Sequence, residues 1–152
     1  MYRTADVLLF LLIACSPGHT QVTASREGPI RPVTVAQLRD IVRHDSGKVV
    51  LLNVWATWCR WCREEMPAVL TLRRTLGPKG LAVIIVSADD IDDLESDVIP
   101  AARALGLTFP TYIIRDSTEE AFITGMSPGW NGALPTTFLY DRSGAQAEML
   151  VG

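Results

Sequence analysis

The apolar positions of the chain fall into two rhythms. Val35, Leu38, Ile41 and Val42 recur at helical spacing behind Thr34, a residue suited to capping a helix, so the pattern predicts a helix over 35–44 that Ser46-Gly47 ends. Lys48 to Trp55 is almost continuously apolar, as expected of a central strand covered on both faces. A helix is predicted from Cys59 to about Thr75, with Pro67 inside it and Gly77-Pro78 as its stop. Leu81 to Ser87 predicts a second buried strand. The acidic stretch Asp89 to Asp97 then leads into a helix ending near Leu105. Residues 108–115 predict a strand around Tyr112-Ile113-Ile114, and 119–124 a short helix. Thr136 to Tyr140, a turn over Asp141-Arg142-Ser143-Gly144, and Ala147 to Val151 predict a closing hairpin. Strands that alternate with helices before a final hairpin give an α/β sandwich.

The first residues follow neither rhythm. Arg3 precedes the apolar run Val7 to Ala14, which is too short to span a bilayer and has the length of a signal-peptide core. Leu12-Ile13-Ala14-Cys15 resembles the lipobox of bacterial lipoproteins, in which the cysteine is lipidated and becomes the first residue. Residues 16–32 are rich in Pro, Gly, Ser, Thr and Gln. The expected organisation is a leader over 1–14, a tether over 15–32 beginning with a lipidated Cys15, and one folded domain over 33–152. A flexible tether of this size spans roughly 20–25 Å. It would hold the domain just off the extracytoplasmic, or periplasmic, face of a bacterial membrane.

Composition narrows the function. The chain has 152 residues, enough for one domain with a core, and a net charge of −3. That balance gives no electrostatic footing for nucleic acid. The acidic stretch 89–97 lacks the ligand spacing of a calcium loop and is expected to be a solvated loop and helix start. Three cysteines cannot form a structural disulfide framework, and with two histidines and no second Cys-x-x-Cys a zinc site lacks ligands. No metal and no cofactor is expected beyond a redox-active cysteine pair.

The chemistry concentrates in Trp55-Ala56-Thr57-Trp58-Cys59-Arg60-Trp61-Cys62. Two cysteines three positions apart open a helix that follows a buried strand. Unpaired N–H groups at a helix start carry partial positive charge, which favours the reactive thiolate. The second cysteine lies within reach to resolve a mixed disulfide. Glu65 follows Cys62 by one helical turn and so shares its face.

Two stretches carry a resemblance. Asn53-Val54-Trp55 through Cys62 to Arg63-Glu64-Glu65-Met66-Pro67, and Gly132-Ala133-Leu134-Pro135-Thr136-Thr137-Phe138-Leu139-Tyr140-Asp141, resemble the thioredoxin fold and specifically the TlpA/ResA-like exported thioredoxins. The resemblance implies a thioredoxin-like α/β/α sandwich with a central mixed sheet. It implies Cys59 as the exposed nucleophile, Cys62 as the resolving cysteine, and Glu65 as a carboxylate near the pair able to relay the Cys62 proton. Pro135 would be the family's cis-proline, presenting the Leu134 backbone to a substrate strand. Trp58 would flank the nucleophile, Arg60 would adjoin it, and Trp61 would be exposed to a partner. Trp55 is expected in the core, and Trp130 either lines the same groove or anchors its loop.

The sequence departs from that family in two places. Asn53 stands where thioredoxin itself has a buried, titrating Asp, which leaves Glu65 or water as the base. The sequence stops at Gly152, where the family normally adds a C-terminal helix over one face of the sheet, so an exposed apolar face is expected. The function implied is an exported reductase of protein disulfides. Its partners would be a disulfide-bearing substrate protein, a membrane electron donor that re-reduces the pair, and the membrane itself through the lipid anchor. A thiol peroxidase would want Thr three residues before its cysteine, where Ala56 stands. A non-catalytic metal- or partner-binding module is the remaining alternative.

Overall fold

The computed structural model describes residues 30–152; the expected leader, Cys15 and the tether up to residue 29 lie outside the described residues. The apolar runs become one six-stranded sheet. In chain order the elements are β1 Ile30–Val33, α1 Val35–His44, β2 Val49–Trp55, α2 Arg60–Leu76, β3 Leu81–Ser87, α3 Ile99–Ala104, β4 Thr111–Ile114, α4 Glu119–Met126, β5 Thr136–Tyr140 and β6 Gln146–Val151. Across the sheet they run β1-β4-β3-β2-β5-β6. The first four are parallel neighbours, whereas β5 and β6 are antiparallel.

Strand β2 sits between β3 and β5, and its residues from Val50 to Trp55 are all buried, as the unbroken apolar run requires. Successive side chains go to opposite faces. Leu51 and Trp55 join the core with Met66 and Val69 of α2 and Ile99 and Ala102 of α3. Val50, Leu52 and Val54 join the other core with Leu38 and Val42 of α1 and Phe122 and Met126 of α4. The result is the expected α/β/α sandwich. By the same alternation Asn53 faces α2, toward the cysteines.

Local chemistry fixes the element ends. Thr34 accepts from the Gln37 N–H while the Gln37 side chain accepts from the Thr34 N–H, a reciprocal cap on α1. Pro100 is the second residue of α3, and the residues before it form a 3-10 turn over Ile91–Asp93 and a π-helical turn over Leu94–Val98. Pro110 holds the start of β4 to Thr111, inside the expected span.

Two expectations change. Residues 30–32, expected to end the tether, form most of β1 and so belong to the sheet. Arg31 and Pro32 interrupt the apolar rhythm there, and both are tolerated because β1 is an edge strand. Arg31 lies over the Tyr112 ring and donates to its hydroxyl. The second change is at Asp89, which is buried, although Asp90, Asp92, Asp93, Glu95 and Asp97 are exposed as expected. At the other edge, Leu150 and Val151 of β6 are each 52% exposed, and no helix follows among the described residues.

Candidate active site

The site forms where β2 ends and α2 begins. Cys59 caps α2, its Sγ accepting the Cys62 backbone N–H at 3.2 Å. The two sulfurs are joined as a disulfide, with Cα atoms 5.3 Å apart. Cys59 is 6% exposed and Cys62 is 0% exposed, so a partner's sulfur can approach only Cys59. Once the bond is reduced, the same N–H and the start of α2 stabilise negative charge on the Cys59 sulfur. Cys62, enclosed by protein, lacks that access and can act only on Cys59.

The loop ahead of Cys59 is held by a residue that sequence reasoning missed. Asp89 accepts from the Thr57 backbone N–H at 3.1 and 3.0 Å on its two oxygens and from the Thr57 hydroxyl at 2.6 Å. The Ser87 hydroxyl donates to it at 2.5 Å. A carboxylate this buried is tolerable only with such donors. The available signal was position: Trp55 pairs with Ser87 in parallel register, so the residues just beyond them meet. Asp89 was instead grouped with its acidic neighbours.

Beneath the pair, Asn53 donates through Nδ2 to Glu65 Oε1 at 2.7 Å and to Thr137 Oγ1 at 3.1 Å. Its Oδ1 is buried without a partner. Glu65 is half-buried on α2, one turn after Cys62.

The Leu134-Pro135 peptide bond is cis, as expected. The loop before it is fixed by Trp130, whose Nε1 donates to Ala133 O and Thr136 Oγ1, both at 3.1 Å. Its ring packs edge-on against Phe122 and Phe138, each 5.4 Å away between centres. Of the two roles left open for Trp130, anchoring dominates, although one edge also reaches the groove described next. Gly132 has φ +84°, a conformation that favours glycine, and a Cβ there would lie 2.6 Å from Ile123 Cδ1 and displace the tip of that side chain.

A groove of about 420 Å³ opens at Trp58, the residue before Cys59, walled also by Asp89, Ile91, Phe122, Trp130 and Leu134; neither cysteine nor Pro135 lines it. Of the expected contact residues, Trp58 and Leu134 line it together. Arg60 and Trp61 are not among its walls: Arg60 Nε pairs with Glu64 Oε1 at 2.7 Å and its guanidinium lies 5.5 Å from the Trp61 ring centre. Trp58 is 70% exposed and Trp61 65% exposed, far more than Trp55 at 1% in the core. Among the described residues, no three His, Cys, Asp or Glu side chains converge as a metal would need.

The model of the AhpC/TSA family matches residues 29–146. The chain belongs to that family. Within it, the thioredoxin-like protein YneN of Bacillus subtilis is 31% identical, with 97% of this chain and 88% of that protein covered. The thiol-disulfide oxidoreductase ResA of Geobacillus kaustophilus is 33% identical over 99% of this chain and 86% of its own. A crystal structure of a thiol:disulfide interchange protein of the thioredoxin family from Chlorobium tepidum superposes with a TM-score of 0.60 at 26% identity, covering 72% of each chain. The fold is therefore thioredoxin-like. With Cys59 and Cys62 paired at its active end, this AhpC/TSA-family chain is a thiol-disulfide oxidoreductase.

Proposed function

We propose that the protein is an exported, membrane-tethered reductase of protein disulfides. The observation that carries this reading is the asymmetry of the pair: Cys59 caps α2 with its sulfur on a backbone N–H, and Cys62 is sealed beneath it. In the reduced enzyme the Cys59 thiolate attacks one sulfur of a substrate disulfide. That S–S bond breaks, the departing substrate thiolate takes a proton from solvent, and a mixed disulfide on Cys59 forms. Glu65 then takes the Cys62 thiol proton, and the Cys62 thiolate attacks Cys59 Sγ. The second substrate thiolate leaves and is protonated. The substrate gains two electrons and two protons, and the enzyme is left with the Cys59–Cys62 disulfide. A dithiol electron donor at the membrane returns the two electrons.

Leu134 and Trp58 wall the groove where the substrate chain would lie, with the cis Leu134-Pro135 bond beside the pair. Trp61 and Arg60 would meet the partner on the other flank. The direction rests on resemblance and on Arg60-Trp61, which lacks the Pro-His of strong oxidants. Export and anchoring rest on the apolar run ending at Cys15. Ala56, buried where a thiol peroxidase would want Thr, weighs against peroxide chemistry.

Trapping tests the roles. C62S is expected to accumulate a mixed disulfide with a reduced-and-reoxidised protein substrate such as insulin, and C59S to form none. Equal trapping by C59S would overturn the assignment. Palmitate labelling that survives C15S would remove the anchor.

A further inference from the structure

Buried polar groups are nearly always paired. Asn53 breaks that rule: it is 0% exposed, both of its bonds are made through Nδ2, and Oδ1 has no partner. A carboxamide is an expensive choice for the floor of an active site unless both of its ends are used. An amide can donate to a carboxylate and, turned over, accept from a carboxylic acid. Leu offers neither, and an Asp offers a donor only while it holds a proton of its own.

We propose that Asn53 is a two-faced positioning residue for Glu65, donating to it through Nδ2 while Glu65 is a carboxylate and turning Oδ1 to accept its proton once Glu65 has taken that proton from Cys62. The inference rests on Glu65 being the relay in the reading above. In the resolution step the Cys62 S–H bond breaks and a Glu65 O–H bond forms. When that O–H is on Oε1, its acceptor must come to the place Nδ2 now holds. Rotation of the Asn53 amide brings Oδ1 there, and the Thr137 hydroxyl, 3.1 Å from Nδ2, can then reverse from accepting to donating. The proton leaves Glu65 to solvent, to which this half-buried side chain is open, and the amide turns back.

The register supports the pairing. Asn53 of β2 lies opposite Thr137 of β5, and its amide bonds both Thr137 and, on α2, Glu65. The charged and titratable groups around Glu65 are few. On its own helix they are Cys59, Cys62, Arg63 and Glu64, the last paired with Arg60. From β2 Asn53 donates to it, with Thr137 of β5 behind the amide, and on the side of Oε2 a Cβ added at Gly152 would lie 3.9 Å away.

The test uses the whole chain with glutathione loaded on Cys59, following glutathione release by Cys62 against pH. N53L is expected to move the midpoint upward by about one pH unit or more, since a lost donor disfavours the Glu65 carboxylate. In E65Q the same substitution is expected to leave the midpoint in place. Equal shifts in both backgrounds would overturn the inference, because they would make Asn53 structural. An unaltered profile in E65Q alone would remove Glu65 as relay and the inference with it, while disulfide exchange stood. No release at any pH from the unsubstituted protein would fell the exchange reading itself. A wild-type measurement covers the case in which the variants do not fold. The Asn53 side-chain amide signals in an NMR titration are expected to shift with the Glu65 carboxyl carbon, and independent titration would overturn the inference.

Discussion

Asp89 grips Thr57 through both its backbone N–H and its hydroxyl, and in doing so fixes the loop that delivers Cys59 to the start of α2. The grip also joins the active-site loop to the end of β3, where Ser87 supplies a further donor. Replacing Asp89 by Ala would leave three donors unpaired. D89A is expected to lower stability by roughly 2–4 kcal/mol, given the strength of hydrogen bonds to charged acceptors. Denaturant midpoints of the reduced proteins check this, and an unchanged midpoint would mean the contacts contribute nothing.

Most of the sandwich was legible because apolar periodicity marks buried elements directly: Leu81 to Ser87 and Thr136 to Tyr140 begin and end where the pattern places them. The cysteines and the cis-proline were legible from their local motifs. Strand β1 was not, because an edge strand of four residues with Arg31 and Pro32 at its centre carries no buried run. Asp89 was not, because Thr57, the residue it holds, lies 32 residues away in sequence, and only the parallel register of β2 and β3 brings the two together. The Asn53–Glu65 bond was hidden for the same reason: each residue was singled out, but their contact belongs to the packing of α2 on β2.

A side chain at Gly132 should be costly, because of its positive φ and because Ile123 must move. G132A adds a Cβ 2.6 Å from Ile123 Cδ1 at a φ of +84°. The expected loss is about 1–3 kcal/mol, together with a displaced cis-proline loop. Thermal melts compared with G144A, which has a similar φ but nothing within 4 Å, separate the clash from the backbone strain. Equal losses at both positions would remove the clash from the explanation.

Trp58 is mostly exposed and lines the groove, so W58A is expected to leave stability within about 0.5 kcal/mol of the parent. Its effect should fall on KM for a protein disulfide, with kcat nearly unchanged, as for a contact made equally in the ground and transition states. A fall in kcat at constant KM would give Trp58 a different role.

Asp141 accepts from the Ser143 hydroxyl and backbone and from the Ala145 N–H in the β5–β6 turn. These bonds, led by the Ser143 hydroxyl, hold its carboxyl below the usual range. A depressed folded value means that the turn's contribution is present above the unfolded value, about 3.9, and is lost as pH falls through the folded one. D141N is therefore expected to be less stable than the parent at pH 7 and to converge on it in acid. A stability difference independent of pH would contradict the assignment.

The most direct test of the reductase reading is the redox equilibrium of Cys59–Cys62 in thiol–disulfide buffers, read by alkylation and mass. A potential near or below about −270 mV is expected, as for a dithiol that must be recharged by an upstream donor. A potential near about −120 mV would make the protein an oxidant and contradict the proposed direction.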